Sequence, residues 1–413
     1  MKRAPGALEA ALAQLEAAHL RRARITFEAT GGGRTLAADG RALIDFSSND
    51  YLGLARTPAL AAAMAACAAA SGAGSAAAHL VSGHGSEHAR LEQELAAYTG
   101  RERAVLFSTG YMANLAVLSA LCGRAERVLL DRLCHASLID GARLAGAALK
   151  RYPHLDAEAA ARALESDCPP ATLIATDGVF SMDGDLAPLP ELARAAARHG
   201  AWLVVDDAHG LGVVGASGRG VLEHYGLASE AVPVLVGTLG KAFGSFGAFV
   251  AGAADLIEWL IQKARPYVYT TALPQPVAAA TRAALALAQR ESWRRERVHA
   301  LTARFRARAH AAGVPLSPSS TPIQPVLLGS AAAALAAQRA LEQAGFWVVA
   351  IRPPTVPSGR ARLRVTLSAA HTEAQVDALV EALAAACAPA VEPAHAVDTP
   401  AEAADAAARK ASV

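Results

Sequence analysis

Cysteine is scarce in this sequence. Five cysteines are scattered over 413 residues, and no two of them form a C-x-x-C pair. Few, odd-numbered and scattered cysteines are not typical of a disulfide framework or of a zinc site. We therefore expect neither disulfide bonds nor a bound metal.

Charge of one sign and long apolar runs are also lacking. The formal net charge is +2, and much of the 53% hydrophobic content is alanine. No long Leu/Ile/Val/Phe block is free of glycine, proline or charge, and the charged N-terminus has no apolar signal core. We expect no nucleic-acid partner, no membrane partner and a cytoplasmic location.

Short apolar runs separated by helical stretches dominate the middle of the chain. The clearest helix covers residues 190–199, between Pro190 and Gly200. Apolar runs without alternation, joined by helices, predict a mostly parallel sheet covered by helices on both faces, which is an α/β fold. The predicted strands cover residues 104–107, 128–130, 173–175, 202–205 and 234–236.

The two ends of the chain differ from this middle part. Residues 1–47 contain a predicted helix and a hairpin that turns at Asp39-Gly40, and residues 48–290 form the large domain. A small C-terminal α/β domain is expected over 291–387, and the Ala/Pro/Glu-rich tail 388–413 is expected to be disordered. In and before the small domain we predict a helical stretch from 276 to about 312, helices over 331–344 and 372–386, and strands over 325–328, 346–351 and 361–367.

Polar side chains follow each predicted strand of the large domain. In an open α/β sheet, ligands bind beyond the carboxyl ends of the strands, so these residues should meet at one edge. Taken singly, each has an ordinary structural explanation as a helix cap, a turn or a solvated lysine. The groups are Ser108-Thr109-Gly110-Tyr111, Asp131 with Cys134-His135, residues 176–184, Asp206-Asp207-Ala208-His209 and Gly237 to Lys241.

Together these groups match the needs of pyridoxal 5'-phosphate. The cofactor requires a lysine that links to its aldehyde, and Lys241 is available. Asp206, at the end of an apolar strand, can hold a proton on the pyridine nitrogen. His209 can donate to the 3'-oxygen, His135 can stack on the ring, and the backbone N–H groups of residues 110–111 can bind the phosphate.

Several ordered motifs resemble the α-oxoamine synthase family of fold type I pyridoxal-phosphate enzymes. The resemblance covers roughly residues 20–387. The motifs that carry it are FSSNDYLGL at 46–54, LFSTGYMAN at 106–114, DRLCHASLIDG at 131–141, DGVFSMDGD at 177–185, DDAHG at 206–210 and TLGK at 238–241.

The resemblance implies a role for each matching residue. Four residues would be catalytic and would also contact the cofactor: Lys241, His135, Asp206 and His209. Four more would help to seat the cofactor: Gly110, Tyr111, Ser181 and Thr238. His135 would also touch the substrate, with three further residues: Arg21, Thr355 and Arg364.

The family joins an amino acid to an acyl thioester with loss of carbon dioxide. Residues 351–372 are most similar to the biotin-pathway branch, which implies L-alanine and pimeloyl-CoA or pimeloyl-acyl carrier protein as substrates. Thr270-Thr271 resembles a segment that reaches the partner subunit's phosphate, so a homodimer is expected. Ser75-Ala76-Ala77-Ala78 departs from the family, whose members tend to have more glycine and serine there.

Two other kinds of function remain open at this point. The chain could be a sister synthase, namely 5-aminolevulinate synthase, 2-amino-3-ketobutyrate ligase or serine palmitoyltransferase. It could instead be an inactive regulatory subunit, but such a subunit would be expected to lose Lys241, which is present with all of its companions.

Overall fold

The computed structural model describes residues 7–29, 35–38, 40–165 and 172–387. The predicted tail at 388–413 lies outside the described residues, as does Asp39 of the predicted hairpin turn. Within the described ranges, no helix combines the length and the apolar character that crossing a membrane requires.

Strands occur in the N-terminal, central and C-terminal parts of the chain. They are β1 (Glu28–Ala29), β2 (Thr35–Ala38), β3 (Arg41–Asp45), β4 (Arg103–Phe107), β5 (Arg127–Asp131), β6 (Ala148–Tyr152), β7 (Thr172–Asp177), β8 (Trp202–Asp206), β9 (Val234–Thr238), β10 (Ala248–Gly252), β11 (Ile323–Gly329), β12 (Phe346–Trp347), β13 (Val349–Ile351) and β14 (Ala361–Thr366).

Helices separate most of these strands. They are α1 (Ala7–Ala17), α2 (Pro58–Ser71), α3 (Ser86–Thr99), α4 (Gly110–Leu121), α5 (Ala136–Ala145), α6 (Ala157–Glu165), α7 (Leu189–His199), α8 (Val221–Tyr225), α9 (Ala254–Lys263), α10 (Arg265–Val268), α11 (Gln275–Arg290), α12 (Ser292–Ala311), α13 (Ala331–Gln343) and α14 (Glu373–Cys387). A single π-helical turn covers His79–Gly83.

The central sheet has seven strands in the order β4-β10-β9-β8-β7-β5-β6. Only β10 runs against its neighbours, because its pairings with β4 and β9 are both antiparallel. The expected mostly parallel sheet is therefore confirmed. Since the other strands share one direction, the residues that follow them lie at one edge.

Both faces of this sheet are buried. Along β8, Leu203 and Val205 belong to one apolar cluster, whereas Val204 belongs to the other. Successive side chains of a strand point to opposite faces, so the sheet lies between two hydrophobic cores. This packing explains why the central strands are continuous apolar runs and not alternating ones.

Three predictions about the sheet and its connections need correction. The predicted set of strands lacked β6 and β10. The predicted helix from 276 to about 312 is two helices, α11 and α12, interrupted at Glu291. The predicted strand over 346–351 is also two, since β12 pairs with β3 while β13 pairs with β14.

Two small sheets pack beside the large one. β12 joins the N-terminal hairpin in the order β1-β2-β3-β12, and the C-terminal strands form β11-β14-β13. The N-terminal segment is thus paired directly with the C-terminal part of the chain. The break between α11 and α12 falls at the expected boundary near 290, and the division into domains stays a prediction.

Candidate active site

A cleft of about 760 Å³ opens at the carboxyl edge of the central sheet. Six of the expected site residues line it: His135, Ser181, His209, Lys241, Thr355 and Arg364. They come from six separate strands, strand ends and loops, which the structure brings together.

Lys241 stands at one end of a chain of hydrogen bonds within the cleft. Its Nζ lies 2.8 Å from Nε2 of His209, and Nδ1 of that ring lies 2.7 Å from the Tyr51 hydroxyl. Tyr51 also donates to Oδ1 of Asn49, at 3.2 Å. Burial lowers the pKa of Lys241 to about 8; the Arg364 charge acts in the same direction and the Asp206 charge opposes it.

Asp206 ends β8 beneath the cleft and is only 6% exposed. Its Oδ2 accepts a hydrogen bond of 2.6 Å from Nδ2 of Asn114, and its Oδ1 accepts one of 3.0 Å from the Ala208 backbone. The carboxylate is therefore held by two donors in a poorly solvated position, where it favours a cation beside it.

His135 is the N-terminal cap of α5 and is fixed on two sides. Its backbone N–H donates to Oδ2 of Asp177 at 2.7 Å, and its Nδ1 lies 2.7 Å from the Ser137 hydroxyl. Burial lowers the pKa of His135, and the Asp206 charge opposes that shift. The ring is therefore neutral near neutral pH, as a stacking partner should be.

The N-terminus of α4 is suited to an anion. Thr109 caps this helix by accepting from the Met112 N–H, which leaves the backbone donors of Gly110 and Tyr111 without helical acceptors. A Cβ added at Gly110 would meet no atom within 4 Å, so the approach is open. The Tyr111 hydroxyl donates to Asp140 and the ring is half-exposed.

Thr238 lies at the end of β9 and donates to the Gly247 carbonyl at 3.2 Å.

β14 carries two buried arginines, of which only Arg364 lines the cleft. Arg364 donates through Nε to the Ser181 carbonyl at 2.6 Å and through Nη1 to Oδ1 of Asn49 at 3.1 Å. Its Nη2, which lies near Tyr51, is buried and has no well-formed hydrogen bond. Arg362 instead forms a buried ion pair with Asp183 at 2.6 Å and so anchors the loop that carries Ser181.

The structure brings Arg22 to the cleft and not Arg21. Arg22 lines the cleft and donates to the Thr355 hydroxyl at 3.0 Å. The guanidinium of Arg21 pairs with Glu16 at 3.2 Å and is largely exposed. The substrate contact expected of Arg21 is therefore better assigned to Arg22.

Sequence reasoning missed several residues of the site. Asn114, Ser137, Tyr51 and Asn49 form its hydrogen-bond network, and two further arginines, Arg132 and Arg151, line the cleft. A signal existed for Asn114 and Ser137, since each is a polar residue in an apolar helical turn within a motif already singled out. Arg132 also lies in the motif at 131–141, whereas Arg151 lies in none of the motifs singled out.

The segment Ser75–Ala78, whose sequence departs from the family pattern, packs against residues 271–273. The Ser75 hydroxyl donates to the Leu273 carbonyl at 2.8 Å, and the Ala77 carbonyl accepts from Ala272 N–H at 2.9 Å. Ala76 has φ of 57°, in the left-handed region that favours glycine, at a cost of about 1–2 kcal/mol. Neighbouring Thr270 and Thr271 line a small cavity with Ser108 and Met112, next to the start of α4.

Among the residues that the structure describes, one group of side chains is a candidate for holding a metal ion: His79, His84 and His88. Both nitrogens of His88 already bond to backbone: Nδ1 accepts from Gly85 at 2.9 Å, and Nε2 contacts the Leu273 carbonyl at 2.6 Å. This ring is therefore not free to act as a ligand. The expectation of a metal-free enzyme stays a prediction.

The residues of the cleft fit pyridoxal phosphate. A lysine with a lowered pKa stands at the cleft floor, and a buried carboxylate held by two donors lies beneath it. The open N-terminus of α4 suits the phosphate, and His135 presents a neutral ring to the cleft. With His209, which lies beside Lys241, these are the groups that the cofactor requires.

Comparison with known proteins gives one family match. The model of aminotransferase class I and II matches residues 41–383. The 8-amino-7-oxononanoate synthase of Alkalilimnicola ehrlichii is 59% identical over 368 residues, covering 89% of this chain and 94% of that protein. Other relatives with the same name are 53–59% identical.

Solved structures agree with this match. A serine palmitoyltransferase from S. paucimobilis, solved with bound PLP and myriocin, superimposes with a TM-score of 0.88, 31% identity, and coverage of 93% of this chain and 97% of its own. The 8-amino-7-oxononanoate synthase of Francisella tularensis gives a TM-score of 0.73 and 32% identity, covering 83% of this chain and 97% of its own.

Proposed function

Because the chain belongs to the aminotransferase class I and II family and, within it, to the 8-amino-7-oxononanoate synthases, we propose that it condenses L-alanine with a pimeloyl thioester and releases carbon dioxide. It is a pyridoxal-phosphate-dependent acyltransferase. The observation that carries the proposal is the position of Lys241 beside His209 and above Asp206, at the floor of the cleft.

The curated relatives favour this activity over the sister synthases. The eight of them named 8-amino-7-oxononanoate synthase are 53–59% identical, whereas the solved serine palmitoyltransferases match at 30–32%, as does the solved 8-amino-7-oxononanoate synthase of Francisella tularensis. Lys241 and its companions are all present and brought together, which also argues against an inactive regulatory subunit.

Pyridoxal phosphate, when bound, supplies an aldehyde that links to amines and a ring that accepts the electron pair left by a departing α-proton. Lys241 would hold the aldehyde, and its amine is the group available to remove and return the α-proton of the amino acid. Its pKa of about 8 leaves a sizeable neutral fraction near neutral pH, as a base requires. Asp206 would keep a proton on the ring nitrogen, His209 would bond the 3'-oxygen, and His135 would stack on the ring.

Arg364 is the candidate partner of the amino acid's carboxylate. Two of its nitrogens are anchored to Ser181 and Asn49, so the third is held in a fixed direction at the cleft wall. A carboxylate bound there cannot select among amino acids, because all carry one. Discrimination between alanine and glycine must come from the methyl group, which is worth about 1 kcal/mol, so we expect a modest preference of roughly tenfold or slightly more.

The test is a matrix of amino acids against acyl thioesters, scored by kcat/KM. We expect L-alanine with pimeloyl thioester to be the best pair, ahead of glycine and serine and of succinyl, acetyl and palmitoyl donors. Pimeloyl-CoA and pimeloyl-acyl carrier protein should be compared in the same series, because both carry the same thioester. If glycine with a succinyl or acetyl donor were preferred, the chain would carry out a sister reaction.

Three arginines give the cleft a positive rim. Arg22, Arg132 and Arg151 line it, whereas the acidic Asp183 is already neutralised by Arg362. The acyl donor carries phosphate on its pantetheine arm in both of its forms, so we assign Arg132 and Arg151 to that phosphate.

Replacing both Arg132 and Arg151 with alanine should raise KM for the acyl donor about tenfold, since each exposed pair contributes about 0.2–1 kcal/mol. The KM for L-alanine should stay unchanged, and the effect should weaken as salt is added. Arg194→Ala is the matched control, because that exposed arginine pairs with Glu191 away from the cleft. An equal rise in both KM values would contradict the assignment.

The expected homodimer stays part of the proposal. Val81 is 79% exposed and Tyr269 is 71% exposed, and both belong to segments beside Thr270 and Thr271. Large apolar side chains exposed together near a site are typical of a surface covered by a second copy.

A further inference from the structure

A continuous chain of hydrogen bonds joins Asp206 to His135. Asn114, which is 1% exposed, donates through Nδ2 to Oδ2 of Asp206 at 2.6 Å and to the Ser137 hydroxyl at 2.8 Å. Ser137, which is fully buried, lies 2.7 Å from Nδ1 of His135. None of these contacts is needed to hold the helices themselves, since α4 and α5 have their own backbone bonds.

The direction of every bond in this chain follows from its chemistry. A carboxylate only accepts, so Asn114 must turn its NH₂ group and not its oxygen toward Asp206. Both hydrogens of that group are then used, one on Asp206 and one on the Ser137 oxygen. The Ser137 hydroxyl, having accepted from Asn114, still carries one hydrogen that it can donate to His135.

The backbone of Ser137 confirms the same direction. Its N–H also donates to Nδ1 of His135, at 3.3 Å. Two donors thus converge on Nδ1, which must be the unprotonated nitrogen of a neutral ring. The hydrogen of His135 is therefore on Nε2, which has no hydrogen-bond partner among the described residues and belongs to a ring that lines the cleft.

We propose that Asn114 and Ser137 are positioning residues that hold His135 as its neutral Nε2–H tautomer, so that the cleft presents one fixed donor to an oxygen of the substrate. The substrate's identity rests on the proposed function, but the tautomer does not. The same chain links this donor to Asp206, since Asn114 serves both. A change in Ser137 should therefore act on catalysis through His135, and a change in Asn114 through both His135 and Asp206, without touching the substrate itself.

The tautomer can be measured directly by the ¹⁵N chemical shifts of the imidazole nitrogens in holoenzyme labelled with ¹⁵N-histidine. His135→Gln identifies the signal. At pH 8 without substrate, wild-type enzyme should show a protonated Nε2 and an unprotonated Nδ1. In Asn114→Ala and Ser137→Ala the fixed tautomer should give way to a mixture. A wild-type ring protonated on Nδ1, or on both nitrogens, would overturn the proposal.

The pH profile separates positioning from mere structural support. Donors to Nδ1 oppose its protonation, so removing the Ser137 hydroxyl should raise the pKa of His135. The acid limb of kcat/KM should move upward by about 0.5–1 unit, with a fall of about fivefold to tenfold at its plateau. Ser137→Thr, which keeps the hydroxyl, should restore the position of the acid limb. Ser119→Ala is the control, because it removes a hydroxyl of α4 that bonds only to Leu115 and Ala116.

The two proposals fail in different ways. If L-alanine and pimeloyl thioester were poor substrates while the wild-type ring kept its proton on Nε2, the proposed function would fall and the positioning role would stand. If Ser137→Ala left both the ¹⁵N shifts and the acid limb unchanged, the positioning role would fall whatever the substrate.

Discussion

Replacing Lys241 with alanine should abolish turnover while leaving the fold intact. The variant loses both the amine that holds the cofactor and the base that moves the α-proton. A general base alone is worth about 10²–10⁴ in rate, and with covalent catalysis also lost the fall in kcat should reach at least about 10⁴-fold. Reduction with borohydride should attach the cofactor covalently to wild-type enzyme and not to the variant.

A second lysine provides the control for this experiment. Lys263 ends α9, where its amine lies over the Trp259 ring at 5.3 Å, and it does not line the cleft. Lys263→Ala should keep wild-type kcat and covalent attachment. If Lys241→Ala turned over near the wild-type rate, the central assignment would be wrong.

The lowered pKa of Lys241 can be tested through the pH dependence of cofactor attachment. Burial lowers the pKa to about 8, and only the neutral amine attacks an aldehyde. In cofactor-free enzyme supplied with pyridoxal phosphate, the rate of attachment should rise with pH up to about 8 and then level off. A profile that rose until pH 10 would show that Lys241 keeps its ordinary pKa.

Strand direction in the central sheet is enough to predict which residues meet at its carboxyl edge. Asp131, Asp177 and Asp206 end parallel strands, so their meeting at one edge needs no knowledge of tertiary packing. Lys241 shortly follows β9 and shares that edge for the same reason. Local apolar pattern and strand direction together were sufficient for this half of the site.

The other half depends on contacts between distant segments. Arg22 reaches Thr355 across more than three hundred residues, and Arg364 reaches Asn49. Their meeting depends on how β14 and the N-terminal segment dock, which no local pattern encodes. The same limit explains the split at Val348, because only pairing partners distinguish β12 from β13.

Replacing Asp206 with asparagine tests the electron sink. The amide has nearly the same shape, so the cofactor should still attach to Lys241. It carries no charge to hold a proton on the ring nitrogen, and its NH₂ group would face one of the two donors that now serve the carboxylate. Electrostatic losses of this kind are worth about 10²–10⁴ in rate, and we expect kcat to fall by that factor with KM for L-alanine little changed.

Asp207 is the matched control, because it is the adjacent carboxylate with a different contact. Its Oδ2 accepts from the Val221 backbone at 2.9 Å, and burial, with the Asp206 charge acting in the same direction, raises its pKa well above the usual range. Burial thus favours the uncharged form of Asp207, and an amide reproduces its acceptor. Asp207→Asn should therefore cost far less than tenfold in kcat. If instead Asp207→Asn were the more damaging variant and Asp206→Asn lost less than tenfold, the partner of the ring nitrogen would have to be Asp207.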